Sequence, residues 1–374
     1  MENTKRQTGY DMLYLSVCAL QGAIPNQERI AAIDIAALYR MCRFHSLTAI
    51  VCMALESAGV SVPAEWREAK DKTVRKNMLL DAERLKICGL FEKQHIWYVP
   101  LKGILLQDLY PKLGMREMAD NDILYDAAYQ NQVMEIMIQN GYDVHSVGRS
   151  NHDIYMKPPV FNFEMHTALF GETHNETFYL YYRDIRKKLV ADREGSYGLR
   201  FADEDFYLYM LAHAYKHYGN SGTGLRSLLD CAVYLRRKGD SMDWHYINAE
   251  SKVLGFADFV QSFAALSRKI CEDPNCASLT DEERAMLEYV LFSGTYGTME
   301  NSISKKLAAY NSKFAKFKYI WNRVFPDMSI YKAGYPFFYK HKWLLPVGWA
   351  YRIGRGLLHG GKRIIREFNI VRKQ

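Results

Sequence analysis

Residues 96 to 125 constrain this chain more than any other stretch, because they order a strand, a turn, a helix, a loop and a second strand in one short block. Ile96-Trp97-Tyr98-Val99-Pro100-Leu101 is apolar, β-branched and aromatic, so it reads as a strand that Lys102-Gly103 ends. Ile104, Leu105, Leu106, Leu109 and Tyr110 form the apolar stripe of a short helix, Pro111 stops it, and Lys112 to Arg116 make a loop. The next strand runs Met118-Ala119-Asp120-Asn121-Asp122-Ile123-Leu124-Tyr125. Side chains alternate across a strand, so Asp120 and Asp122 share a face with Cα atoms about 7 Å apart. Neighbouring carboxylates repel, and Mg²⁺ (or Mn²⁺) held by one or two carboxylates plus substrate phosphates relieves that repulsion. A glycine at the strand-to-helix turn lets a phosphate approach backbone N–H groups, and the helix N-terminus adds favourable partial charge. The block predicts a triphosphate site beside a metal-binding strand, although Asp-x-Asp also arises by chance in loops.

The run Leu101-Lys102-Gly103, Leu109-Tyr110-Pro111, Arg116 and Asp120-x-Asp122-Ile123-Leu124 resembles the uncharacterised nucleotidyltransferase family of the polymerase-β-like superfamily. The resemblance is specific over about residues 96 to 126 and thinner from there to about 245. Superfamily members usually carry Gly-Ser after the first strand, whereas this chain has Lys102-Gly103, so a lysine charge stands where a serine hydroxyl would meet the triphosphate. The resemblance implies nucleotide-binding roles for Lys102, Gly103 and Arg116. A third acid belongs on a neighbouring strand. In Val160-Phe161-Asn162-Phe163-Glu164-Met165-His166, apolar and polar residues alternate, giving a half-buried strand with Glu164 and His166 on its polar face. The resemblance maps Glu164 as the third acid and His166 as its neighbour; the bland readings are a solvent-facing glutamate and a structural histidine.

If the three acids converge, two metal ions can bridge the attacking and leaving oxygens of an in-line displacement at phosphorus. Asp120 and Asp122 would hold both ions, and Glu164 the one nearer the acceptor hydroxyl. Lys102 and Arg116 would stabilise charge that spreads over the phosphoryl oxygens. The expected reaction is transfer of a nucleoside monophosphate from an NTP to an acceptor hydroxyl with release of pyrophosphate. The alternative is a catalytically silent module that keeps the fold and holds a nucleic acid, membrane or protein partner. Kinases are disfavoured, since neither Gly-x-Gly-x-x-Gly nor Gly-x-x-x-x-Gly-Lys-Ser/Thr occurs.

Beyond this block the chain is mostly helical, and the expected fold class is α+β, a small mixed sheet flanked by N-terminal and C-terminal helical regions. Helical periodicity runs through about 9–21, 27–58 and 64–94, interrupted at Gly22, Pro25 and Gly59 to Pro63. Ala127 to Gly141 reads as a helix, Tyr142 to His145 and Asp153 to Met156 as short strands, giving β-α-β-α-β-β-β. The expected division is 1–94 helical, 95–200 nucleotidyltransferase core, 201–330 helical and 331–374 a basic aromatic segment. Asp203-Glu204-Asp205 opens a further helix that carries His213, Lys216 and His217, and Leu225 to Asp230 opens another with Arg226. The family has a His, Lys, His helix followed by an Arg and Asp helix, so these residues are candidates for a substrate-side wall; a polar helix–helix contact is the competing reading. A metal site from His213, His217 and Asp230 lacks the His-Glu-x-x-His pattern.

Seven cysteines, an odd number without paired short spacings, and no secretory signal fit a reducing cytoplasm. Charge is concentrated at the end: from Tyr331 onward there are ten Lys or Arg against the single acid Glu367, about +9, which leaves the rest near −2 of the total +7. Interleaved with Phe337, Phe338, Trp343, Leu344, Trp349 and Tyr351, these cations suit RNA, through phosphate contacts and stacking, or an anionic membrane surface, which would make the protein peripheral. A packed C-terminal helix with a solvated basic face is the bland reading. Too many charges interrupt the segment for a spanning helix.

Overall fold

The computed structural model describes residues 2–172, 175–295, 297–310, 312 and 314–373. They form two compact units, one of residues 1–215 and 223–295 and a second of residues 216–222 and 296–374. The first begins with α1 (Glu2–Gln21), α2 (Gln27–Ala31), α3 (Ile35–His45), α4 (Thr48–Ser57) and α5 (Ala64–Lys93). The continuous periodicity expected over 27–58 is thus three helices. Asp34 caps α3 by accepting from the Ala37 N–H, and Ser46 ends it in a left-handed conformation at φ 53°. A short polar residue at each end satisfies backbone groups that an uninterrupted helix would have used.

The expected β-α-β-α-β-β-β order follows: β1 (Tyr98–Pro100), α6 (Gly103–Gln107), β2 (Asn121–Tyr125), α7 (Gln130–Gln139), β3 (Asp143–Ser146), β4 (His152–Lys157) and β5 (Phe161–His166). These strands form one mixed sheet in the order β1-β2-β5-β4-β3. Only the β2–β5 pairing is parallel; β1–β2, β5–β4 and β4–β3 are antiparallel. Alternation decides what each face holds. Ile123 and Tyr125 of β2 and Phe163 and Met165 of β5 turn into a core with Phe91 of α5 and Val133 and Met137 of α7. That leaves Asp122, Glu164 and His166 on the opposite face.

The unit continues with α8 (Glu176–Tyr182), a short pair β6 (Val190–Ala191) and β7 (Leu199–Arg200), then α9 (Asp203–Asn220), α10 (Leu225–Lys238), α11 (Trp244–Val253), α12 (Ala257–Glu272) and α13 (Asp281–Ser293). The last turn of α9, from Lys216, belongs to the second unit. His45 ties three of these helices together: its Nε2 lies 2.9 Å from the Leu291 carbonyl and its Nδ1 accepts from the Leu225 N–H at 3.1 Å.

The second unit contains α14 (Met299–Ala309), α15 (Ala315–Val324), α16 (Met328–Gly334), α17 (Pro336–Lys340) and α18 (Leu345–Lys373), the last kinked at Gly360. Among its described residues Ile303, Tyr319, Ile370 and Val371 form a small core cluster, with Glu367 accepting from Tyr319 and from two nitrogens of Arg323. Much apolar surface stays in water, including Phe314, Trp321, Phe337, Trp343 and Leu358. Among the described residues no helix is long and apolar enough to cross a membrane.

Candidate functional site

Helix α5 sets the position of the Asp-x-Asp segment. Asn77, fully buried on α5, donates its amide to the Arg116 carbonyl at 2.8 Å and accepts from the Met118 N–H at 3.2 Å. Lys76 Nζ reaches the Ala119 carbonyl at 2.9 Å, and Asn121 Nδ2 donates to the Leu80 carbonyl at 2.9 Å. These bonds satisfy the backbone of a loop that has no ladder of its own, and they deliver the chain into β2 in one register. Asp120 precedes the first strand residue, Asn121, and Asp122 is the second residue of β2.

The parallel pairing sets Asp122 directly beside Glu164, with Ile123 beside Met165 and Leu124 beside His166. His166 Nε2 lies 2.8 Å from Asp122 Oδ1 and 3.8 Å from Glu164 Oε2. Lys102 Nζ lies 3.5 Å from Asp122 Oδ1. On β4, His152 faces His166 across the ladder and brings its Nε2 to 3.7 Å from Glu164 Oε2. Lys102, Asp120, Asp122, Glu164 and His166 therefore meet in one place, and His152 joins them.

Burial and mutual repulsion govern the protons. Asp120 is pushed up to about 6 by burial and by Asp122, against the opposing charges of Lys102, Arg226 and Lys76. Glu164 is pushed up to about 7 by burial, Asp122 and Asp120. Burial works against the Asp122 charge too, but Lys102 and the His166 hydrogen bond outweigh it and hold Asp122 well below the usual carboxylate range. Burial likewise opposes the Lys102 charge, and Asp122, Tyr209, Glu164 and Asp120 override it. His166 is lowered because burial outweighs the bond to Asp122. Lys102, with Arg226 and Lys76 acting on Asp120, does not bring Asp120 or Glu164 down to the usual carboxylate range, so the three acids stay short of positive charge. An oxygen-donor set of this kind fits a hard divalent cation such as Mg²⁺, which Asp120, Asp122 and Glu164 could hold.

Arg116, expected at the triphosphate, is used elsewhere. Its Nε and Nη2 form a fork on the two oxygens of Asp230 at 2.8 and 3.0 Å, and Tyr110 donates to the same carboxylate at 2.8 Å. Asp230 and Arg116 are both buried. Gly103 also has a packing role. A Cβ there would lie 2.5 Å from Arg116 Nη1 and 2.9 Å from the Met118 side chain, so the missing side chain makes room for those groups. Helix α6 beyond it has five residues, too few to build up a useful dipole. The special backbone conformation falls instead on Lys102, at φ 41°.

Of the proposed wall, His213 acts electrostatically on Asp122 and Arg226 on Asp120, while Arg226 also donates to the Glu117 carbonyl at 3.2 Å. Lys216 and His217 belong to the second unit. Sequence reasoning missed Lys76, Asn77, His152 and Tyr209. Each lies on an element far from the Asp-x-Asp segment in sequence; only His152, heading a strand already expected to pair within the sheet, left a usable trace.

A family model described as uncharacterised nucleotidyltransferase matches residues 31–272. Among solved structures, the chain is similar to an antigenic nucleotidyltransferase-like protein from Paracoccidioides brasiliensis, at 12% identity and a TM-score of 0.33, over 57% of this chain and 92% of that one. A comparison with curated proteins found no match.

Proposed function

Since this chain belongs to the uncharacterised nucleotidyltransferase family, with more than half its length inside the family match, we propose that it transfers a nucleoside monophosphate from an NTP to an acceptor hydroxyl and releases pyrophosphate. The observation that carries this reading is the parallel register that sets Glu164 beside Asp122, with Lys102 at 3.5 Å from the same aspartate. Asp120, Asp122 and Glu164 are the groups that would hold Mg²⁺ or Mn²⁺. A bound divalent cation would neutralise phosphate charge and polarise the transferred phosphoryl group. Lys102, fixed among the acids, adds positive charge where it is worth more in the transition state than in the ground state. Glu164, holding the cation nearer the acceptor hydroxyl, would help that hydroxyl lose its proton. A silent module would have no use for carboxylates held together at the cost of raised proton affinity. A thermal-shift screen of the four NTPs with Mg²⁺ or Mn²⁺ tests the reading, because a ligand of the native state raises its apparent stability. At least one NTP should stabilise the wild type in a metal-dependent way, and Asp120→Ala with Asp122→Ala should remove both that shift and turnover. No shift with any NTP would favour the silent module.

For the second unit we propose binding to an anionic membrane surface rather than to RNA. The exposed aromatics Trp321, Phe337 and Trp343 suit either partner, but exposed Ile330, Val347, Leu358 and Ile365 accompany them and the basic residues, and aliphatic side chains insert among acyl chains without serving a base. The protein should sediment with phosphatidylglycerol vesicles in a salt-sensitive way and stay free of phosphatidylcholine vesicles. Binding to single-stranded RNA with no vesicle binding would reverse the assignment.

A further inference from the structure

The acid face carries nitrogen donors that a purely oxygen-liganded magnesium site does not need. One donor atom each from His152, Glu164 and His166 lies within 4.8 Å of the other two. Both imidazoles approach the same carboxylate oxygen, Glu164 Oε2, through Nε2, at 3.7 Å for His152 and 3.8 Å for His166. Their rings are 5.0 Å apart at the centroids and tilted by 39°. Ligand atoms at about 2.1 Å from a tetrahedral metal are about 3.4 Å from one another, so the two imidazole-to-carboxylate separations sit a few tenths of an ångström from a ligating arrangement. The sheet supplies the rigidity: β4 and β5 pair antiparallel with His152 opposite His166, and Glu164 lies two residues back on the same face. Asp122 Oδ1, 2.8 Å from His166 Nε2, stands as a fourth donor once a cation takes the place of the proton in that bond.

We propose that His152, Glu164 and His166 form a transition-metal position in this face, one that prefers an imidazole-binding divalent cation, such as Zn²⁺ or Co²⁺, to Mg²⁺. Two neutral imidazoles and a carboxylate are borderline donors. Along the first-row series they bind the later metals more tightly, whereas Mg²⁺ demands oxygen and keeps its water. The inference deepens the nucleotidyltransferase reading by giving one of its cation positions a chemical identity, and it rests on that reading for its place in turnover. The binding itself can be measured apart from activity.

Cobalt(II) is the probe. Titrated into the full-length, metal-stripped protein, Co²⁺ should bind one equivalent with the visible absorption of a low-coordinate nitrogen and oxygen site, and one equivalent of Zn²⁺ should bleach it while a large excess of Mg²⁺ does not. His152→Ala should weaken Co²⁺ and Zn²⁺ binding by at least about 100-fold, the upper end of what losing even an outer-shell partner costs. Thiolate-to-cobalt charge-transfer absorption would put the metal on cysteine and overturn the proposal. Unchanged Co²⁺ affinity in His152→Ala, or displacement by Mg²⁺ as easy as by Zn²⁺, would overturn it too. If Co²⁺ binds through His152 but no NTP binds, the nucleotidyltransferase reading fails and the metal site stands. If NTP binds with Mg²⁺ and Co²⁺ does not bind, the reverse holds.

Discussion

The first unit buries two acid–base groupings with opposite outcomes. At Asp230, one carboxylate meets a bidentate guanidinium and a tyrosine hydroxyl, all buried, and both of its oxygens are answered. At Asp122, a carboxylate meets one lysine and one histidine while Asp120 and Glu164 press against it. The first grouping is saturated and holds the loop before β2 against α10. The second is short of positive charge and has donor atoms left for a ligand. Saturation fits a structural role and deficit fits the proposed chemistry, and that difference separates an arginine and a lysine candidate that look alike in sequence.

The comparison yields predictions of decreasing size. Asp120→Ala with Asp122→Ala should lower nucleotidyl transfer by at least about 10³-fold, the scale of losing preorganised transition-state stabilisation. Asp120→Ala alone should hold or raise the melting temperature, because burial and Asp122 work against that carboxylate, whereas the double variant also loses the Asp122 contacts with Lys102 and His166 and should melt lower; a large drop in Asp120→Ala would show that Asp120 is structural. Asp230→Ala should do the reverse, costing about 3–5 kcal/mol by stranding the buried Arg116 charge, as read by chemical denaturation. Arg116→Met combined with Asp230→Leu should recover much of that stability, and a double variant as unstable as the single one would break the contrast between the two groupings.

His45 provides a third case, a buried polar group answered while neutral. Burial lowers its pKa from 6.5 to about 4, partly opposed by the bond to Leu291, and the Leu225 N–H bond requires an unprotonated Nδ1. The native state therefore binds fewer protons than the unfolded chain. The stability it contributes is fully present above pH 6.5 and is lost as pH falls toward 4, up to about 3 kcal/mol by linkage. Denaturation followed from pH 7 to 4 should lose that much more in the wild type than in His45→Gln. Smaller again is Asn77→Ala, which should cost about 1–3 kcal/mol by leaving the Arg116 carbonyl and the Met118 N–H unsatisfied. It should also reduce turnover more than its stability loss accounts for, since the bonds it removes set the register of Asp120 and Asp122.

Legibility in the sequence followed distance along the chain. The strand order from β1 to β5 could be read because Ile123 and Tyr125, and Phe163 and Met165, repeat with the period of a pleated strand. The separation of the 27–58 helix into α2, α3 and α4 could not, because capping by Asp34 and a left-handed Ser46 leave the apolar spacing almost unbroken. Lys102 and Arg116 were equally plausible phosphate ligands, since each follows or precedes a strand of the same block. Their fates depended on Asp230, more than a hundred residues away, which the fold brings to Arg116 at 2.8 Å.

By itself the sequence determined which residues share a face: Asp122 lies apart from Ile123 and Tyr125, and Glu164 with His166 apart from Phe163 and Met165. Alternation is a local property of the extended backbone, so it needs no tertiary information. Tertiary structure decided which faces meet. The register that puts Asp122 beside Glu164, His152 opposite His166 and Asp230 under Arg116 comes from packing between distant elements, where burying one apolar face fixes the partner of every polar group on the other.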